Sequence, residues 1–152
     1  MVGRGRTYGI FDKMRKKQKK QPAGPTLLED IPKAADWFVQ AMGSSGYALD
    51  ETLESFRELD RFIDEQKRPG GLLDGKVGSK LFAMGAYVGQ TLIARLGGRW
   101  EANDQDPEGE INIAVHLNCA TIWPVQKVMK RFSNGPEDSL YAYGAALRDT
   151  EP

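Results

Sequence analysis

The chain has 152 residues, 40% hydrophobic and 28% charged, a size and balance that fit one folded domain burying about two thirds of its unfolded surface. Six Phe, five Tyr and three Trp exclude a disordered chain, and the single Cys119 excludes an intramolecular disulfide and with it the secreted, disulfide-stapled class. The zero formal net charge conceals a split: residues 1–20 hold eight Lys or Arg against one Asp, leaving 13 basic against 20 acidic side chains in the remainder.

Residues 1–25 read as a basic tail and linker, ending in Gln21-Pro22-Ala23-Gly24-Pro25, a composition that favours solvated chain over a packed element. Arg4, Arg6, Lys13, Arg15, Lys16, Lys17, Lys19 and Lys20 supply its charge, and Ile10, Phe11 and Met14 have the spacing of one amphipathic turn. The apolar run at residues 8–11 is too short for an export signal, so the expected compartment is the cytoplasm. Such a run of cations makes weak contacts with nucleic acid or an anionic membrane surface by releasing counterions. The aromatic interleaving of a dedicated nucleic-acid reader is absent.

A single α+β domain is expected over residues 26–150. Thr26 and Glu29 form a weak capping box, and the first helix is predicted over 32–42 with Ala35, Phe38, Val39 and Met42 inward. Asp50 is the expected cap of a second helix, whose Leu53, Phe56, Leu59 and Ile63 recur every three or four residues while charged residues fill the other face. Pro69-Gly70-Gly71 closes it. Ser79 is the expected cap of a third helix, apolar nearly all round, in which Gly85 and Gly89 admit a neighbouring backbone. That helix should be central. Its apolar stretch, 81–96, contains Gln90 and Arg95 and falls short of the roughly 20 residues of a membrane span.

After Gly97-Gly98 the period changes from helical to alternating. Trp100 and Ala102, then Ile111, Ile113, Val115 and Leu117, predict an antiparallel hairpin, with a short third strand at 120–123. Pro124 starts a helix with Val125, Val128, Met129 and Phe132 inward. Pro136, Glu137 and Asp138 open the last helix, in which Leu140, Tyr141, Gly144 and Leu147 face the core. The fold class is thus a small antiparallel sheet of about three strands packed against about five helices.

Complete catalytic or metal motifs are not found. Asp104, Asp106 and Glu108 before Gly109 have the alternation of a calcium loop, but its twelfth position falls on Val115 where a bidentate Glu is needed. The acidic stretch reads as a hairpin tip, with no metal and no cofactor. His116 and Cys119 could form a thiolate pair, with Glu110 and Arg99 nearby, only if a turn at Asn118 reversed their opposite strand faces. Otherwise Cys119 is expected buried, as are Trp100 and Trp123. The polar strand face, with Asp104, Asp106, Glu108, Glu110, Asn112 and His116, is the candidate partner-binding surface.

Four runs carry a family likeness: Gly85-Ala86-Tyr87-Val88-Gly89, Leu96-Gly97-Gly98-Arg99-Trp100, residues 122–131 from Ile122-Trp123-Pro124 to Lys130-Arg131, and Asn134-Gly135-Pro136-Glu137-Asp138-Ser139-Leu140-Tyr141. Together they resemble a loose group of small uncharacterised bacterial domains, over a little under half the chain. Gln90 stands here where that group has an acidic residue after the second glycine. The resemblance implies a bacterial cytoplasmic domain of immunity or adaptor type. The leading expectation is a non-catalytic domain whose acidic surface binds another protein, such as a basic toxin or enzyme, by charge complementarity. The alternatives are an enzyme built around His116 and Cys119, and an accessory protein acting on nucleic acid or membrane through the tail.

Overall fold

A computed structural model describes residues 27–102 and 113–151. Thr26, the tail cations and the segment from Asp104 to Asn112 therefore lie outside the described residues. In chain order the elements are α1 (Leu27–Ser44), a 3-10 turn (Leu53–Ser55), α2 (Phe56–Gln66), α3 (Gly78–Leu96), β1 (Arg99–Ala102), β2 (Ile113–His116), β3 (Thr121–Ile122), α4 (Pro124–Asn134), a second 3-10 turn (Pro136–Asp138) and α5 (Leu140–Thr150). The expected class holds: the described residues form five helices and a three-stranded antiparallel sheet of order β1-β2-β3.

The central helix is α3, because its faces are apolar on nearly every side. It packs against α1 along one flank and α4 along another, while α2 packs against α5. Leu81, Met84, Tyr87, Val88 and Leu92 are buried within it. Its two glycines meet different neighbours. A Cβ on Gly85 would lie 2.6 Å from the Val125 Cα of α4, whereas one on Gly89 would lie 2.1 Å from the Trp100 ring. The close backbone approach therefore occurs at Gly85, and Gly89 instead seats an indole whose Nε1–H donates to Gln90 Oε1 at 2.7 Å. Small residues at these two places fasten α4 and the sheet to one helix.

Several boundaries shift for local reasons. Helix α1 begins at Leu27 and holds Pro32 inside it; burying Ile31 together with Ala35, Phe38 and Met42 outweighs the one amide donor that the proline removes. Thr52, not Asp50, caps the 3-10 turn that leads into α2: its Oγ1 accepts from Ser55 N, while Asp50 accepts from Thr52. Helix α3 starts at Gly78, with Val77 and not Ser79 preceding it. Gly97 ends α3 with φ 81° and ψ 150°, an extended exit straight into β1 in place of a left-handed helical turn. Pro136 to Asp138 form a separate 3-10 turn, and α5 begins only after Ser139, whose side chain accepts from Ala142 N.

The sheet register pairs Trp100 with Val115 and Arg99 with His116 on one side of β2, and Val115 with Ile122 and His116 with Thr121 on the other. Alternation then separates the faces. Ile113, Val115 and Ile122 enter the core, and His116 turns away from it. Among the described residues no helix is long and apolar enough to cross a membrane.

Candidate functional site

On the polar sheet face, three strands bring His116, Glu101 and Thr121 together. His116 Nε2 is hydrogen-bonded to Glu101 Oε1, and Nδ1 lies 3.0 Å from Thr121 Oγ1. The hydrogen bond from the imidazole, reinforced by its charge, holds the Glu101 carboxyl below the usual glutamate range. Cys119 does not join them. It is exposed, not buried, in the turn after β2, and its backbone N–H and that of Asn118 donate to the Glu151 carboxylate at 3.1 and 3.2 Å. With both ring nitrogens engaged by Glu101 and Thr121, His116 has none left to activate a thiol. Of the expected partner-binding residues, His116 is placed on this face; Asp104, Asp106, Glu108, Glu110 and Asn112 lie outside the described residues.

A second polar assembly was not foreseen. Arg131 in α4 is 2% exposed, with Nε 2.8 Å from Asp60 Oδ1 and Nη2 2.8 Å from Asp64 Oδ1. Burial disfavours its charge, but the two carboxylates more than offset that and raise its pKa. Asp60 also accepts from Ser139 Oγ at 3.0 Å and from the Leu140 and Tyr141 amides at 2.9 and 3.0 Å. One carboxylate thus joins α2, α4 and the first turn of α5, satisfying amides that have no intrahelical acceptor. Every member is partnered, so the cluster is architecture.

The periodicity that placed Met129 inward missed this. Val125 and Val128 are buried, but three residues further on the stripe reaches Arg131, while Met129 is exposed. The signal available in the sequence was an Asp at position 60 between Phe56 and Ile63, both on the apolar stripe of α2. The remaining charged face of α2 does face solvent, with Arg61 bridging Glu58 at 2.8 Å and Glu65 at 3.1 Å.

Two concave surfaces lie among the described residues. The first is an apolar groove of about 160 Å³ between α1 and the α2–α3 connection, with Phe38, Met42 and Phe62 in its floor. Trp37, 53% exposed, and Leu72, 44% exposed, stand at its edge. Lys80 Nζ donates to the Leu72 carbonyl at 2.6 Å and fixes that loop. The second is a polar cavity of about 240 Å³ lined by Trp123, Gln126, Lys127, Lys130, Asp138 and Tyr143. Trp123, expected in the core, is 41% exposed here: it follows the buried Ile122 of β3 on the opposite side of the extended chain, and Pro124 and Val125 beyond it are buried.

Among the described residues, no group of three or more His, Cys, Asp or Glu side chains could hold a metal ion. Comparisons with protein-family models, with curated proteins and with solved structures returned no match.

Proposed function

We propose that this chain is a non-catalytic protein-binding domain, of immunity or adaptor type, whose partner is a basic protein of the bacterial cytoplasm. The observation that carries the reading is Trp37, half exposed beside Leu72 over an apolar floor. Tryptophan is among the residue types enriched at the energetic hot spots of protein interfaces, and exposed apolar grooves mark interaction sites. The second support is charge: outside the first 20 residues the chain carries 13 basic and 20 acidic side chains, a field that accelerates encounter with a basic surface and repels acidic ones.

The division of labour follows from the physics. The groove supplies apolar area that persists at any ionic strength, and the acidic body supplies a salt-dependent association rate. The test is capture from a bacterial lysate by the full chain, identification of the captured protein, and titration of that purified protein against wild type and Trp37→Ala. The reading requires a loss of about thirtyfold in affinity for the variant, or about 2 kcal/mol, and an association rate that falls as salt is raised from about 0.1 to 1 M. An affinity unmoved by Trp37→Ala and an association rate unmoved by salt would sink it.

A further inference from the structure

The cavity beside Trp123 holds one internal ion pair, Lys127 with Asp138, while its other polar side chains make no hydrogen bond or ion pair among the described residues. Trp123 immediately precedes α4, Gln126, Lys127 and Lys130 come from the first two turns of that helix, Asp138 from the adjoining 3-10 turn and Tyr143 from α5. Lys127 is spoken for, with Nζ 3.2 Å from Asp138 Oδ1 and 5.1 Å from the centre of the Tyr143 ring. Among the described residues, no hydrogen bond or ion pair within contact distance engages the indole N–H of Trp123, the amide of Gln126, the ammonium of Lys130 or the hydroxyl of Tyr143.

These groups are predominantly donors. The indole and the ammonium cannot accept at all. Burial pushes the Tyr143 phenol up to about 12, so it too keeps its proton at physiological pH. A wall of this kind calls for an acceptor-rich, negatively charged occupant. The charge count limits how negative. Lys127 and Asp138 neutralise one another, which leaves the single charge of Lys130. The Asp138 carboxylate, held below the usual aspartate range by the Asn134 amide and then by Lys127, stays ionised and repels a dianion. The size limits the rest: about 240 Å³ lies just under the span of about 300–1,000 Å³ common for small-molecule sites, and two of the walls are aromatic.

We propose that this cavity binds a small planar aromatic monocarboxylate, its carboxylate taken by Lys130, Gln126 and the Tyr143 hydroxyl and its ring lying against Trp123. Lys127 and Asp138 shape the floor and set the charge limit. The site shares no lining residue with the Trp37 groove.

Calorimetric titration of the full chain with benzoate, benzamide, acetate and inorganic phosphate tests each element. Benzoate should bind with Kd of about 1 mM or tighter, within the efficiency of a ligand of its size. Benzamide, which lacks the charge, and acetate, which lacks the ring, should each be weaker by about tenfold or more. Lys130→Met and Tyr143→Phe should each weaken benzoate by about three- to tenfold, while Lys80→Met in the other groove leaves it unchanged. Absence of benzoate binding up to about 50 mM, equal affinity for benzamide, tighter binding of phosphate, or indifference to Lys130→Met would overturn the proposal.

Discussion

The two faces of α4 each carry basic side chains and use them in opposite ways. On the inner face Arg131 is buried and paired with Asp60 and Asp64, and Asp60 is in turn saturated by Ser139 and two amides of α5. On the outer face, one residue earlier in the chain, Lys130 lines a cavity in which the polar groups of Trp123, Gln126 and Tyr143 are unpartnered as well. The contrast teaches how to tell a structural charge from a receptive one. A polar group whose hydrogen-bonding capacity is filled within the fold stabilises the fold. One that is held in place with capacity to spare is available to something else.

The largest expected effect comes from breaking the inner face. Asp60→Ala removes the carboxylate that serves Arg131 and the first turn of α5 together, leaving the buried guanidinium with Asp64 as its one carboxylate and the backbone carbonyl of residue 60. Unfolding in denaturant should show a loss of about 3–5 kcal/mol, and a loss below about 1 kcal/mol would mean that the cluster is incidental. Gly85→Ala acts on both faces at once, since the new methyl would meet the Val125 backbone at 2.6 Å and push α4 away from α3. A loss of about 1–3 kcal/mol is expected, accompanied by weaker benzoate binding because the lining of the cavity moves with α4.

Changes confined to the outer face should be silent in stability. Gln126→Ala is expected within about 0.5 kcal/mol of wild type, and a larger loss would place that amide in the architecture after all. The smallest effect is a pH dependence at Asp138, whose carboxyl is lowered by hydrogen bonds from Asn134 and Lys127. A carboxyl with a depressed folded-state pKa contributes stability above its unfolded value near 3.8, and that contribution disappears as the pH falls through the lower folded value. Asp138→Asn should therefore be slightly less stable than wild type at pH of about 6 and converge with it at about 2. A gap that widens on acidification would contradict the assignment.

The comparison also explains what could be read from the chain beforehand. The sheet was legible because Ile113 and Val115 alternate with a period of two, and the start of α4 because proline is favoured in a first helical turn and an apolar stripe follows Pro124. The third helix was legible as central because it has no polar face. Arg131 was not legible, since residues 131 and 132 lie on either side of Val128 on the helical wheel, about 100° apart, and hydrophobicity alone assigns the inward place to Phe132; the structure buries Arg131 and leaves Phe132 half-buried. Only the identity of its partner, 71 positions earlier in the chain, distinguishes the two, and that is a tertiary fact. The start of α1 was missed for a related reason, because the helix-breaking tendency of Pro32 is a local rule and the burial of Ile31 is not.

The candidate site was legible in pieces. His116 was placed correctly on the polar strand face, but its partners Glu101 and Thr121 come from the two flanking strands and depend on register. Trp123 was expected in the core and is exposed, and residues distant in sequence share its cavity: Lys130 is nearly two turns away along α4, and Tyr143 belongs to a different helix. Trp37 gave no signal at all, because a tryptophan one position before the buried Phe38 reads as an ordinary edge of the apolar stripe.

The division between the two faces of α4 is tested most directly by comparing the denaturant unfolding of Arg131→Met and Lys130→Met, adjacent residues changed to the same uncharged side chain. The account predicts a loss of about 3 kcal/mol for Arg131→Met and a change within about 0.5 kcal/mol for Lys130→Met. Equal losses for the two, or a neutral Arg131→Met, would contradict it.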